Sequence, residues 1–472
     1  MKIVFIQLDP ISRAGVMSLS ACVKKAGHQA GLLIASEEDD LPGKLKAMRP
    51  DLVGFSLVSG LHEQTLALAE KVKKELAVPV ICGGPHVTFY AEEIIALDFV
   101  DIVCRGEGEE ALVELLDALG AGKDPYAIRN LWFKKGAEII RNQLRPLTED
   151  LDSFPVQDRS GYYEYKLLRE QPSKDFIFTR GCPYRCSFCF NTEFRDLYKG
   201  KGRYVRRPSV GRAIEEICSV RDNYGLGAVM IMDDLFVADK EWLKRFLAEY
   251  KQKVRLPFQC EARADLLNEE TIKELKAAGC TAIALGVESG VERIRNEVLE
   301  KDLKDASIIS ACRAIKREGI LLKTYNMIGI PGETLEDAFA TVGFNIRLEA
   351  DYAWCSVLRI YPGTALAARA VSMGLLEKDF SLKDFGNSYL LSGTPLKLER
   401  KREMLNLQRF FPLAVKFPSF FPLVRLLIKL PPNPVFDLIF QAAYAGFTIK
   451  TTKIGLRNFF AVGLRTKKAL KT

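Results

Sequence analysis

No run of eighteen or more apolar residues in this sequence is free of charge, which excludes an ordinary membrane-spanning helix. The opening residues MKIVFIQLD lead straight into a strand-like segment without the pattern of a secretory leader, so a cytoplasmic chain is expected. Cysteine is sparse, eleven in 472 residues, too dilute and too unevenly spaced for a disulfide scaffold. Histidine is sparser still: His28, His62 and His86 are all there are, and none is an obvious catalytic base. The chain also lacks the composition of disorder, being 48% hydrophobic and 27% charged.

What is present is enough for two to four domains at a prior of about 150 residues each. The formal charge of +8 is unevenly placed. From Lys397 to Thr472 fifteen Lys or Arg face three acidic residues, a local +12, and the remaining 396 residues sum to −4. The basicity belongs to a tail. That tail is rich in Phe, Leu and Pro and lacks the pattern of a common RNA-binding module, so nucleic acid is not an expected partner.

Residues 1–145 alternate short apolar runs (3–8, 51–58, 79–84 and 101–106) with amphipathic stretches such as 63–76. This predicts a doubly wound, Rossmann-like α/β domain whose loops after the strands line a crevice at the carboxyl edge of a parallel sheet. Small residues at tight turns explain the same loops equally well. A proline-bearing linker is expected over 146–174. The strand and helix rhythm then resumes for six units over 175–390, which fits a partial (β/α)6 barrel with chemistry at the strand ends. Residues 391–472 abandon the pattern and predict a mainly helical region.

The most informative segment is FIFTRGCPYRCSFC, with Cys182, Cys186 and Cys189 in a loop just after a strand. Three thiolates at this spacing suit three irons of a [4Fe-4S] cube and leave the fourth iron open. A structural zinc site would want a fourth ligand, and no histidine or further cysteine lies nearby.

CPYRCSFC resembles the CxxxCxxC signature of radical S-adenosylmethionine enzymes. The resemblance implies that the open iron chelates S-adenosylmethionine and that one-electron reduction releases a 5′-deoxyadenosyl radical. It implies further that Phe188 packs on the adenine, that Asp233 or Asp234 in the segment ending at MDD receives the amino group, and that Glu288 in GVESG meets the ribose or methionyl moiety. A helix cap is the plainer role for either aspartate. MIGIPGET, with Gly329, Gly332 and Glu333, resembles the family's fifth-strand loop.

The domain order narrows the resemblance to the cobalamin-binding members, class B methyltransferases and anaerobic cyclases. DLVGFSLVSG, PVICGGPH and VCRGEGEEAL look like their cofactor-domain segments. On that basis Ser56, Ser59, Gly83, Gly84, Pro85 and Glu107 are expected near cobalamin. The motif Asp-x-His-x-x-Gly is absent, so a lower axial histidine is not expected.

The activity so implied is C-methylation of an unactivated carbon by way of methylcobalamin. Oxidative cyclisation or hydroxylation of a porphyrin or lipid-like substrate, and a non-catalytic corrinoid carrier, are the alternatives. A flavodoxin or ferredoxin-like electron donor is implied as a partner. In the tail, RFFPLAVKFPSFFPLVRLLIKL and VFDLIFQAAYAGF read as peripheral membrane contact, as a helical cap on the barrel, or as an oligomer interface. Lys416, Arg425, Lys429 and the prolines argue against spanning. A hydrophobic small molecule or lipid is the expected substrate class.

Overall fold

The computed structural model describes residues 1–381 and 393–452, with side chains through Ile449. The expected boundary at 390/391 and the end of the basic tail, 453–472, lie outside the described residues.

The first sheet comprises β1 (Lys2–Gln7), β2 (Gln29–Ile34), β3 (Leu52–Ser56), β4 (Val80–Gly83), β5 (Ile102–Cys104), β6 (Leu131–Lys135) and β7 (Glu138–Arg141), in the order β2-β1-β3-β4-β5-β6-β7. The β1 to β5 pairings are parallel, and β6 and β7 add antiparallel. The parallel strands are nearly all buried because helices cover both faces, as their continuous apolar runs require. Two elements were not legible in the pattern. β2, QAGLLI, begins with exposed or half-buried residues and so carries no sustained apolar run. The β6–β7 hairpin turns at Gly136, whose φ of 60° suits glycine, and it breaks the crossover rhythm expected up to residue 145.

The second sheet comprises β8 (Ser173–Phe176), β9 (Ala228–Ile231), β10 (Phe258–Ala262), β11 (Cys280–Glu288), β12 (Leu321–Ile328) and β13 (Tyr352–Val357). All neighbours pair in parallel and in chain order, and the edge strands β8 and β13 remain unpaired with each other. This is the partial barrel with six units.

Residues 146–174 are packed, in contrast to a loose connection. Arg159 is 3% exposed; its guanidinium lies 4.4 Å over the Phe176 ring and donates to the Asp175 carbonyl at 2.8 Å and to Glu216 at 3.1 Å. Tyr162 donates to Gln7 on β1 at 2.8 Å. The aromatics that interrupted the rhythm in sequence therefore join the two sheets.

Helix Lys401–Lys416 packs on β13 and on helix Leu335–Arg347. Helix Pro434–Thr452 lays Phe440, Tyr444 and Phe447 against Trp354 and Tyr352 of β13, with ring centroids 4.4 to 6.5 Å apart. This helix thus covers the open β13 edge of the partial barrel. Among the described residues no helix is long and apolar enough to cross a membrane.

Between β12 and helix Leu335–Arg347 lies a buried polar ladder. Thr324 donates to Asn345 Oδ1 at 2.6 Å, and Asn345 Nδ2 donates to Asn326 Oδ1 at 2.7 Å and to the Thr341 carbonyl at 2.8 Å. Each member is satisfied, as burial demands. Asn345→Ala is expected to cost about 2 kcal/mol, because it strands several buried partners at once; urea melts at constant slope measure it.

Candidate functional site at the seam of the two sheets

The cysteine loop that leaves β8 is held from both ends. Asp233, fully buried just past β9, accepts from Phe178 N at 2.6 Å, Thr179 N at 3.0 Å and Thr179 Oγ1 at 2.5 Å. Burial pushes its carboxyl pKa up, and these donors pull against that shift. Both oxygens are engaged, so Asp233 braces the loop; the neighbouring Asp234 is the exposed carboxylate, and it accepts from Asn191 Nδ2 at 2.8 Å. Gly181 has φ 84°, and a Cβ there would meet the Tyr204 carbonyl at 2.5 Å, so the turn before Cys182 needs glycine. At the far end Ser187 donates from its hydroxyl to the Val298 carbonyl at 2.7 Å and from its N–H to the Leu299 carbonyl at 3.0 Å.

Cys182, Cys186 and Cys189 are half-buried on this braced loop. Desolvation raises the pKa of each thiol, that of Cys182 to about 11; Cys186 and Cys189 add to the rise at Cys182, and Cys189 adds to that at Cys186. Lys301 and Arg263 pull Cys186 down, and the Asn191 amide does the same for Cys189 at the start of helix Phe190–Leu197. Among the described residues no group of His, Cys, Asp or Glu could hold a single metal ion. Three thiolates of a cube sit on three different irons and need not converge on one point, so the donor set fits an iron–sulfur cluster.

Phe188 packs against the apolar cluster that includes Ile294, Ile330 and Leu358. Glu288 ends β11 at a register shift, with φ 63°, a left-handed conformation rare outside glycine. The shift aims its carboxylate at Lys301, whose Nζ donates to Oε1 at 2.6 Å.

A cavity of about 550 Å3 opens between the carboxyl edge of the first sheet and the cysteine loop. Of the residues expected around a cofactor, Ser56, Gly83, Gly84, Pro85 and Glu107 line it. Ser59 does not; its hydroxyl is 2.9 Å from His86 Nδ1. Gly84, with φ 97°, could not carry a Cβ without meeting the Leu57 carbonyl at 2.8 Å, and a Cβ at Gly106 would meet the Tyr198 hydroxyl at 1.7 Å. Glycine is therefore required at both turns, because the loops lining the cavity pack too closely on their neighbours for a side chain. His86 lies outside the lining, stacked on His62 at 4.2 Å, and burial lowers its pKa to about 3.

Glu107 is more than a wall residue. Arg206 donates to its two oxygens at 2.5 and 3.0 Å, and Arg180 approaches at 3.2 Å. Arg180 also donates to buried Glu109 at 2.6 Å, which in turn accepts from Ser18 at 2.8 Å. These pairs tie the loop after β5 to the cysteine loop. Sequence reading missed Arg180 and Arg206 because each partner lies 71 to 99 residues away.

A second constellation was also missed. Tyr325 on β12 donates to Glu261 on β10 at 2.6 Å, and Lys323 Nζ stands 3.1 Å from the Tyr325 hydroxyl. Burial raises the Glu261 pKa and lowers that of Lys323, so their proton affinities approach each other. The alternate residues Leu322 and Ile328 face the helical layer, which places Lys323 and Tyr325 on the inner face of the barrel. The available signal was a charged residue on a strand covered on both sides.

A partial parallel barrel with a three-cysteine loop, docked on a Rossmann-like sheet through a glycine-walled cavity, defines a radical enzyme with a second cofactor domain. Residues 176–344 match the Radical SAM superfamily and residues 9–116 the B12 binding domain. The chain is 30% identical to an uncharacterized methyltransferase of Pyrococcus horikoshii, over 77% of this chain and 79% of that protein. It is 28% identical to a hopanoid C-3 methylase of Methylococcus capsulatus (83% and 74%). It is 27% identical to an anaerobic magnesium-protoporphyrin IX monomethyl ester cyclase of Cereibacter sphaeroides (75% and 59%), and so spans less than two thirds of that relative. The fold matches the cobalamin-dependent S-adenosylmethionine radical enzyme OxsB with aqua-cobalamin bound, at TM-score 0.68 and 16% identity, covering 100% of this chain and 80% of that one. The chain belongs to the cobalamin-binding radical S-adenosylmethionine enzymes. Its cofactors are those of the family: a [4Fe-4S] cluster, S-adenosylmethionine and cobalamin. Together the cluster and S-adenosylmethionine supply a 5′-deoxyadenosyl radical. The carrier alternative falls with that assignment.

Glu107→Ala leaves buried Arg206 without its carboxylate and is expected to cost about 2 to 3 kcal/mol, with Glu107→Gln intermediate, in denaturant melts. Glu333 provides a pH test. Its Oε2 accepts from Gly329 N and Ile330 N, while Oε1 is buried without a partner, and burial raises the pKa to about 8. Between the ordinary 4.5 and about 8 the folded protein holds a proton that the unfolded chain has lost, so stability falls as pH rises through that window. Glu333→Gln removes this loss, and its melting temperature should gain on the wild type progressively from pH 5 to pH 8.

Proposed function

We propose that the protein is a C-methyltransferase acting on an unactivated carbon of a hydrophobic substrate. Cobalamin, when bound, supplies the transferable methyl group. The observation that carries this reading is the cavity at the seam, walled by glycines on one side and by the cysteine loop on the other. Two relatives that are methyltransferases by name support it.

In this reading Cys182, Cys186 and Cys189 hold the cluster, with Asp233 and Ser187 fixing their loop. Phe188, Asp234 and Glu288 form the S-adenosylmethionine edge, and Lys301 orients Glu288. Ser56, Gly83, Gly84 and Pro85 receive the corrin, while Glu107 sets the spacing of the two loops. The aromatic edge formed by Trp354, Tyr352 and Tyr444 excludes water from the barrel and favours an apolar substrate. Lys323, Tyr325 and Glu261 hold its polar group. A flavodoxin or ferredoxin-like protein delivers the electron.

One observation favours a second reading, oxidative cyclisation or hydroxylation of a porphyrin or lipid-like substrate. The Glu261–Tyr325–Lys323 chain joins groups of converging proton affinity, suited to removing a proton from a substrate. The cyclase relative agrees with it.

The test is incubation of the reconstituted, cobalamin-loaded enzyme with a strong reductant, S-adenosylmethionine bearing a trideuterated methyl group, and an apolar metabolite extract. Methylation predicts 5′-deoxyadenosine together with a product that carries the labelled methyl. An unlabelled product that has lost hydrogen supports cyclisation, and absence of 5′-deoxyadenosine overturns both readings. Tyr325→Phe is expected to lower product about tenfold while 5′-deoxyadenosine still forms.

A further inference from the structure

Segment 417–438 is apolar on two opposite sides. Inward, Val424 and Ile428, then Phe436 and Phe440, recur at helical spacing and are buried; Phe436 packs on Phe410 with ring centroids 4.7 Å apart. Outward, Leu423, Leu426 and Leu430 form a second stripe, and Phe417, Val435 and Leu438 continue it. Of the nine large hydrophobic side chains exposed among the described residues, these are six, with Leu426 at 61% and Leu438 at 65%. A globular surface scatters such residues singly, and their concentration in 22 positions marks an interaction face.

The face is held firmly. Asn406 Nδ2 donates to the carbonyls of Ile428 and Leu430, each at 2.9 Å, and Arg409 pairs with Asp437 at 2.5 Å. Looseness of the segment does not account for the exposed leucines.

Charge identifies the partner. No acidic residue occurs between Met404 and Phe436, and Asp437 is already taken by Arg409. Lys416 and Lys429 flank the stripe, exposed and without an ion-pair partner among the described residues, whereas Arg425 is held by Glu336 at 2.8 Å. Apolar side chains rimmed by free lysines, where no helix among the described residues is long and apolar enough to span, match the boundary between headgroups and acyl chains of an anionic bilayer. A protein partner of acidic surface would meet the lysines but leave the leucine stripe unmatched.

We propose that the outward face of residues 417–438 docks on a bilayer bearing anionic headgroups. The proposal does not depend on which reaction the enzyme performs.

The full chain is mixed with vesicles of phosphatidylcholine alone and of phosphatidylcholine with phosphatidylglycerol, and the bound fraction is read by co-sedimentation. Binding to the mixed vesicles is expected to exceed that to neutral ones by about tenfold or more. L423S/L426S/L438S should lower it about tenfold on the mixed vesicles, and K416E/K429E should bring the two vesicle types to parity. Unchanged melting temperatures verify the fold; should the serine variant melt early, the lysine variant, altered only at exposed charges, still decides. Failure of the wild type to bind the mixed vesicles, or equal binding to both, overturns the proposal. Sedimentation velocity runs alongside: a dimer that the serine variant converts to monomer, with no vesicle binding, overturns it in favour of a second copy of the chain.

Discussion

The pairing of Glu107 and Glu109 with Arg180 and Arg206 is the contact on which the site depends. Arg180 stands two residues before Cys182, and Glu107 stands in the loop that lines the cavity at the seam. The carboxylates sit on one sheet's loop and the guanidinium groups on the other, so the distance between the loop after β5 and the cysteine loop is set by hydrogen-bond geometry. A bidentate arginine pair, Arg206 being 5% exposed, tolerates little sliding. Ionic pairs of this kind add little net stability, but they specify one docking arrangement over others.

The chemistry needs such specification because radical transfer depends on placement more than on acid strength. The cysteine loop accordingly carries redundant braces: Asp233 beneath it, Gly181 at its turn and Ser187 at its far end. These groups bond to backbone and side chains of the protein itself and reduce the freedom of the three cysteines between them.

The C-terminal helices serve two surfaces at once. Their inward aromatics cover the open edge of the partial barrel, while outward leucines remain in water. Helical cap and surface contact, alternatives in the sequence, are compatible in three dimensions because opposite faces of one segment can differ in partner.

The sequence by itself determined the local grammar: parallel strands from apolar runs, the cysteine loop from three cysteines at fixed spacing, and five residues of the cavity wall from the loops after strands. These were legible because each depends on residues close in the chain. It did not determine β2 or the β6–β7 hairpin, whose apolar content is divided between buried and exposed faces. Nor did it separate Asp233 from Asp234, adjacent residues of which one turns inward to brace and one outward. The tertiary structure alone decided that Glu107 meets Arg206, that Ser59 turns to His86, and that Glu261 and Tyr325 meet across the barrel. The physical reason is separation: pairing energy depends on proximity in space, and partners up to 99 residues apart leave no mark on any one stretch of sequence.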